Sequence, residues 1–130
     1  MRLLLDTHAI YWYVEGSPHL SETARSLIQD AANEILISPA SCWEVAVKVS
    51  IGEMILDRPH EDSLGLMHDD HGFRILPIET AHTAFLGRMP FVPGHKDPFD
   101  RLLSAQSLVE RAPMVSADAA LDAHGVTRIW

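Results

Sequence analysis

The chain has 130 residues, 47% hydrophobic and 22% charged, a balance that fits one globular domain over residues 1–130 and excludes a disordered or fibrous chain. Its single cysteine, Cys42, excludes an intrachain disulfide. No apolar run approaches the ~18 residues of a spanning helix, and the short run before Asp6 lacks the roughly 7–15-residue core of a secretory signal, so the expectation is a cytoplasmic protein away from the membrane. The formal net charge of −8 argues against a broadly basic nucleic-acid surface.

Short apolar runs alternate with amphipathic stretches, which predicts an α/β domain with a parallel sheet. Leu3–Leu5 reads as a buried strand and Thr7–Val14 as a helix, broken at Gly16-Ser17-Pro18. Leu20–Ala32 carries Ala24, Leu27, Ile28 and Ala31 at helical spacing, and Glu34–Ser38 is a second strand. Pro39 suits a first helical position, and Ser41 with Glu44 has capping-box spacing. Residues 45–51 alternate with period two, but the two start signals favour a helix up to Gly52. Asp62–Asp70 reads as a helix ended by Gly72, Phe73–Ile78 as a strand and Thr80–Leu86 as a short helix. Arg88–Lys96, with Pro90, Pro93 and Gly94, is a loop. Pro98–Glu110 is a helix with Leu102, Leu103, Ala105, Gln106 and Val109 inward. Met114–Ser116 is a strand, Ala119–Ala123 a short helix and Thr127–Ile129 the last strand.

Four acids fall at telling places. Asp6 directly follows a strand, Glu44 lies in the first turn after the second strand, and Asp118 comes two residues after the strand at Met114. Asp100 opens the helix from Pro98. Ligand sites of open parallel sheets form beyond the carboxyl ends of the strands, so this topology gathers the acids on one edge. Carboxylates so close cannot all stay ionised without counter-charge. Mg²⁺ or Mn²⁺, hard cations that prefer oxygen, would supply it. Each acid also has a plainer role: Glu44 and Asp100 suit helix N-termini, and Asp118 suits an N-cap. Asp6 is hardest to explain away, because a carboxylate beside a buried strand is costly unless paired.

The segments LLLDTHAIYW, SPASCWEVAVKVSIG, HKDPFDRLLSAQSL and VSADAALDAHGV resemble the PIN-domain family, in particular the VapC toxins of bacterial toxin–antitoxin pairs, and the resemblance runs the length of the chain. It implies a three-layer α/β/α sandwich with a central parallel sheet. It also implies a Mg²⁺- or Mn²⁺-dependent endoribonuclease, a VapB-like antitoxin partner and a toxin homodimer. The cleavage expected is attack of metal-activated water on an RNA phosphodiester. The family's four acids fall on Asp6, Glu44, Asp100 and Asp118. Asp97, three residues before Asp100, competes for the third place; Asp100 is favoured as the ligand, with Asp97 in an outer position or as an N-cap. Thr7 and Ser116 have hydroxyls placed to orient a carboxylate or a water, or simply to bond within local turns.

Lys48, His95, Lys96 and Arg101 are the cations available to hold RNA phosphates near this edge, with a solvated charge or ion pair as the plainer role of each. Trp12, Tyr13 and Trp43 can stack bases but fit core or interface better. His60, His68 and His71, with Asp69 and Asp70, suggest a solvated polar face rather than a zinc site. Two rivals to the ribonuclease stand: a catalytically silent protein-binding module, which suits the negative charge, and a phosphatase or small-molecule hydrolase using the same acids.

Overall fold

The structure is a computed structural model that describes residues 1–65 and 71–130. Five strands, β1 (Arg2–Leu5), β2 (Glu34–Ile37), β3 (Arg74–Ile75), β4 (Met114–Val115) and β5 (Arg128–Ile129), form one sheet. Their order is β3-β2-β1-β4-β5 and every neighbouring pair is parallel. Strand β1 sits at the centre because three consecutive leucines suit a strand covered on both faces. Leu3 and Leu5 join one core cluster and Leu4 the other.

The helices are α1 (Thr7–Glu15), α2 (Glu22–Gln29), α3 (Pro39–Ser50), α4 (His60–Gly65), α5 (Thr80–Arg88) and α6 (Pro98–Glu110), with a 3-10 helix at Ala119–His124. On one face, Ile10 of α1 and Ala24 and Ile28 of α2 pack with Leu3, Leu5, Ile35 and Ile37. On the other, Leu103 of α6 and Leu121 pack with Leu4, Leu36 and Met114. Helix α3 contributes Ala40 to the second cluster and Val45 to the first. The result is the expected α/β/α sandwich on a parallel sheet. Among the described residues no helix is long and apolar enough to cross a membrane.

Several boundaries differ from the sequence reading, each for a local reason. Helix α2 is shorter than Leu20–Ala32: Ser21 caps it through the Ala24 N–H and the chain leaves the helix at Asp30. The N-cap of α3 is Ser38, whose hydroxyl accepts from the Ala40 N–H. With Pro39 at the first position the cap must precede it, so the Ser41–Glu44 capping box does not form and Glu44 lies in the second turn. Strand β3 covers only two residues of Phe73–Ile78, since Pro77 has no N–H for the ladder. Gln106, buried on α6, secures the chain there by donating to the carbonyls of Leu76 and Pro77 at 3.3 and 3.4 Å. The helix read over Asp62–Asp70 is seen as α4 up to Gly65; the remainder, with His68, Asp69 and Asp70, lies outside the described residues. His60 and His71 are engaged with aromatic neighbours: His60 Nδ1 lies 3.3 Å from the Tyr11 hydroxyl, and His71 packs edge-on against Tyr13.

Candidate active site

Strand order turns around at β1, which pairs with β2 on one side and β4 on the other. Chain segments leaving β1 and β4 diverge there, and such a switch point opens a crevice at the carboxyl edge. A cleft of about 190 Å³ occupies it, lined by Asp6, Thr7, His8, Glu44, Lys48, Asp97, Asp100, Leu103 and Asp118. The five acids named from the sequence therefore share one concavity.

Asp6 is held most firmly. It is only 8% exposed, and one carboxylate oxygen caps α1 by accepting from the Ala9 N–H at 2.8 Å. The other accepts a short hydrogen bond from the Ser116 hydroxyl at the end of β4. Burial raises its pKa, opposed by the bonds from Ser116 and Ala9 and by His8, and reinforced by the negative charge of Asp118. Ser116 also accepts the Asp118 N–H at 3.0 Å, so one buried hydroxyl sets both acids. Asp118 itself caps the 3-10 helix through the Ala120 N–H at 2.9 Å.

Glu44 is fixed from two sides. Thr7 Oγ1 donates to Glu44 Oε1 at 2.6 Å, and Lys48 Nζ lies 3.1 Å from Glu44 Oε2, one helical turn along α3. Asp97 is the N-cap of α6, with Oδ1 accepting from the N–H groups of Phe99 and Asp100 at 2.8 and 3.2 Å. Asp100, in the first turn, has no such bond. Its pKa is pushed up to about 6, first by burial and then by Asp97, Asp118, Glu44 and Asp6.

Among the described residues, no three His, Cys, Asp or Glu side chains converge into a ready metal-binding group. The carboxylates instead line a shared cleft at wider spacing. Their chemistry nonetheless fits a hard divalent cation: the donors are oxygens, and Lys48 is the one Lys or Arg lining the cleft. The raised pKa of Asp100 reflects its burial first and then the neighbouring carboxylates.

The remaining cations lie elsewhere. Lys96 is exposed, His95 faces His124 with ring centroids 6.1 Å apart, and Arg101 Nη1 makes a long 3.4 Å contact to the Pro90 carbonyl. None of the three lines the cleft. Trp12 and Tyr13 pack against the core, but Trp43 is 61% exposed and meets Phe99 edge-on, with centroids 5.0 Å apart. Helix α3 turns Trp43 away from the core cluster that holds Val45. His8, which lines the cleft and packs with a tilted ring against Trp12 at a centroid distance of 5.4 Å, is a site residue that the sequence reading misses. Its place two residues after Asp6, in the first turn of α1, was the available signal.

Comparison with known proteins agrees with this architecture. A stretch of 63 residues is 36% identical to Ribonuclease VapC16 of Mycobacterium tuberculosis, covering 46% of this chain and 43% of that protein. The chain thus matches less than half the length of this curated relative. The fold is similar to VapBC2 from Rickettsia felis bound to a promoter DNA fragment, with a TM-score of 0.68 at 13% identity over 99% of this chain and 98% of that one. It is also similar to VapBC-1 from nontypeable Haemophilus influenzae, with a TM-score of 0.67 at 14% identity over 99% and 97% of the two chains. The model of the PIN domain matches residues 3–126, almost the whole chain, and the chain belongs to the PIN-domain family.

Proposed function

We propose that this protein is a metal-dependent endoribonuclease that acts as the toxin of a toxin–antitoxin pair. One observation carries the reading: Asp6, Glu44, Asp100 and Asp118, from four distant segments, line a single cleft at the carboxyl edge of the sheet. Asp6, Glu44, Asp100 and Asp118 would hold Mg²⁺ or Mn²⁺, with Asp97 at the rim. The bound cation supplies Lewis-acid activation of water and neutralises phosphate charge. The protein's own part is to hold the acids in place: Ser116 orients Asp6, Thr7 and Lys48 orient Glu44, and Asp97 anchors the turn that carries Asp100. Lys48 is also the cation placed to meet a phosphate entering the cleft.

Similarity to Ribonuclease VapC16 supports RNA as the substrate, and the named VapBC assemblies of similar fold support a VapB-like antitoxin partner. An exposed apolar ridge on α3 suits such a partner. Trp43, Val47 and Ile51 recur every four residues beside Glu44 and Lys48 and remain uncovered, as a helix-binding face requires. The silent protein-binding module stays as the second reading, favoured by the net charge of −8 and the open spacing of the acids.

Incubating the purified protein with RNA in Mn²⁺ or Mg²⁺, with and without EDTA, separates the two. The nuclease reading expects cleavage that EDTA abolishes and that Asp6→Asn lacks. Absence of metal-dependent cleavage would leave the binding module, and full activity in Asp6→Asn would contradict the acid cleft as the active site. Cleavage of nucleotide monophosphates but not RNA would favour a small-molecule hydrolase.

A further inference from the structure

A second cavity, of about 270 Å³, opens where α5, α6 and the 3-10 helix meet. Phe85, Arg88, Met89, Val92, Leu108 and His124 form most of its wall, and none of these residues lines the acid cleft. The wall is apolar except for Arg88 and His124. His124 Nδ1 is buried without a hydrogen-bond partner. Burial, with Arg101 and His95 nearby, lowers the pKa of His124, so at neutral pH it is a hydrogen-bonding group rather than a cation.

Cations also connect this cavity to the acid cleft. Arg2, Lys48, Arg74 and Arg128 each pair with a carboxylate. Arg88, Lys96 and Arg101 have no carboxylate partner among the described residues, as is also true of Arg25, Arg58 and Arg111 elsewhere. Arg88 closes α5, Lys96 lies in the segment that joins α5 to α6, and Arg101 lies in the first turn of α6. That segment leads from the cavity, at Arg88 and Met89, to the acid cleft, at Asp97 and Asp100. Along α6, Asp100 in the cleft and Leu108 in the cavity wall are separated by about 12 Å at 1.5 Å per residue. This is roughly three to four nucleotide steps at stacked spacing.

We infer that this cavity is a nucleobase subsite. One base of a single-stranded RNA enters it against Phe85 and Met89, with Arg88 over the rim, while phosphates of the same strand lie along Lys96 and Arg101 toward the acids. The inference rests on the RNA-cleaving reading of the cleft. An apolar pocket takes the base face, and the adjoining cations take the phosphates; together these are parts of single-strand recognition.

The test uses the full chain in EDTA, a fluorescein-labelled 12-nucleotide single-stranded RNA of mixed sequence, and fluorescence anisotropy. Val92→Glu places a carboxylate in the wall, and Arg88→Ala removes the exposed rim cation. Expected are affinities weakened about fivefold or more for Val92→Glu and about threefold for Arg88→Ala, with thermal melting unchanged for Arg88→Ala. Adenosine monophosphate should displace the probe at concentrations where inorganic phosphate does not. Wild-type affinity in a folded variant, or displacement by phosphate as effective as by the nucleotide, overturns the subsite. If Val92→Glu fails to fold, Arg88→Ala with the competition arms decides. A change in sedimentation of Val92→Glu without loss of RNA affinity assigns the cavity to a protein contact and also overturns it. Metal-dependent cleavage by the wild type, measured alongside, separates the failures: intact cleavage with unaffected variants rejects the subsite alone, whereas a wild type that neither binds nor cleaves RNA rejects both readings.

Discussion

Thr7 Oγ1 donates a 2.6 Å hydrogen bond to Glu44 Oε1 and thereby ties the first turn of α1 to the second turn of α3. Thr7 is almost fully buried, so this bond is screened little by solvent, and Lys48 holds the other oxygen of the same carboxylate. Thr7→Val keeps the shape and removes the donor. The expected outcome is a fall in RNA cleavage of about 10- to 100-fold, the usual effect of losing an orienting partner, with a stability loss of only about 1 kcal/mol. Cleavage rate and thermal melting of the same preparation check it.

Ser116 joins the two central strands at the cleft, donating to Asp6 and accepting from the Asp118 N–H. Ser116→Ala leaves a buried carboxylate with one fewer donor, so the Asp6 pKa should rise further. Destabilisation of about 1–3 kcal/mol is expected, together with a loss of cleavage. A pH–rate profile should show the acidic limb displaced to higher pH; an unmoved limb would mean that Ser116 does not act through Asp6.

Asp100 gives the metal-free protein a characteristic pH dependence. Its pKa is about 6 in the fold against about 3.9 in an unfolded chain, so the folded state binds more protons between these values. The associated stability is fully present below about pH 4 and lost as pH rises through about 6. Asp100→Asn removes that loss. In EDTA at pH 8 it should melt about 3–5 °C above the wild type. This corresponds to about 1 kcal/mol once the partial exposure of the carboxylate is discounted. The advantage should vanish near pH 4. A variant that melts lower at pH 8 would contradict the burial and crowding that raise the Asp100 pKa.

Asp97 and Asp100 separate by substitution. Asp97→Asn retains a capping oxygen and should keep stability and most of the cleavage activity, whereas Asp97→Ala should lose about 1 kcal/mol through the missing cap. Asp100→Asn should lose cleavage while remaining folded. Equal loss of cleavage in Asp97→Asn and Asp100→Asn would place both acids on the metal.

Much of this arrangement is legible in the chain itself, because the strands are short apolar runs and the acids stand just past them. Helix α6 is read with its true bounds, Pro98–Glu110, since an acid followed by proline marks a helix start. Less legible are features decided by competition or by tertiary contact. Two serines near Pro39 both resemble caps, and the imino ring selects Ser38. Trp43 would be expected inside by its size, yet the orientation of α3 leaves it out against Phe99. His8 falls on the cleft because Asp6 begins α1, a register that the strand pattern alone does not specify. Sequence proximity to the acids groups Lys48, His95, Lys96 and Arg101, but only Lys48 lines the cleft.

Isothermal titration of Mn²⁺ into the purified protein at pH 6, in two buffers of different ionisation enthalpy, tests most directly whether the acid cleft takes a divalent cation. Binding should release about half a proton from Asp100, whose pKa is about 6. Both the binding and the release should be lost in Asp6→Asn. Absence of Mn²⁺ binding, or equal binding in Asp6→Asn, would contradict the account.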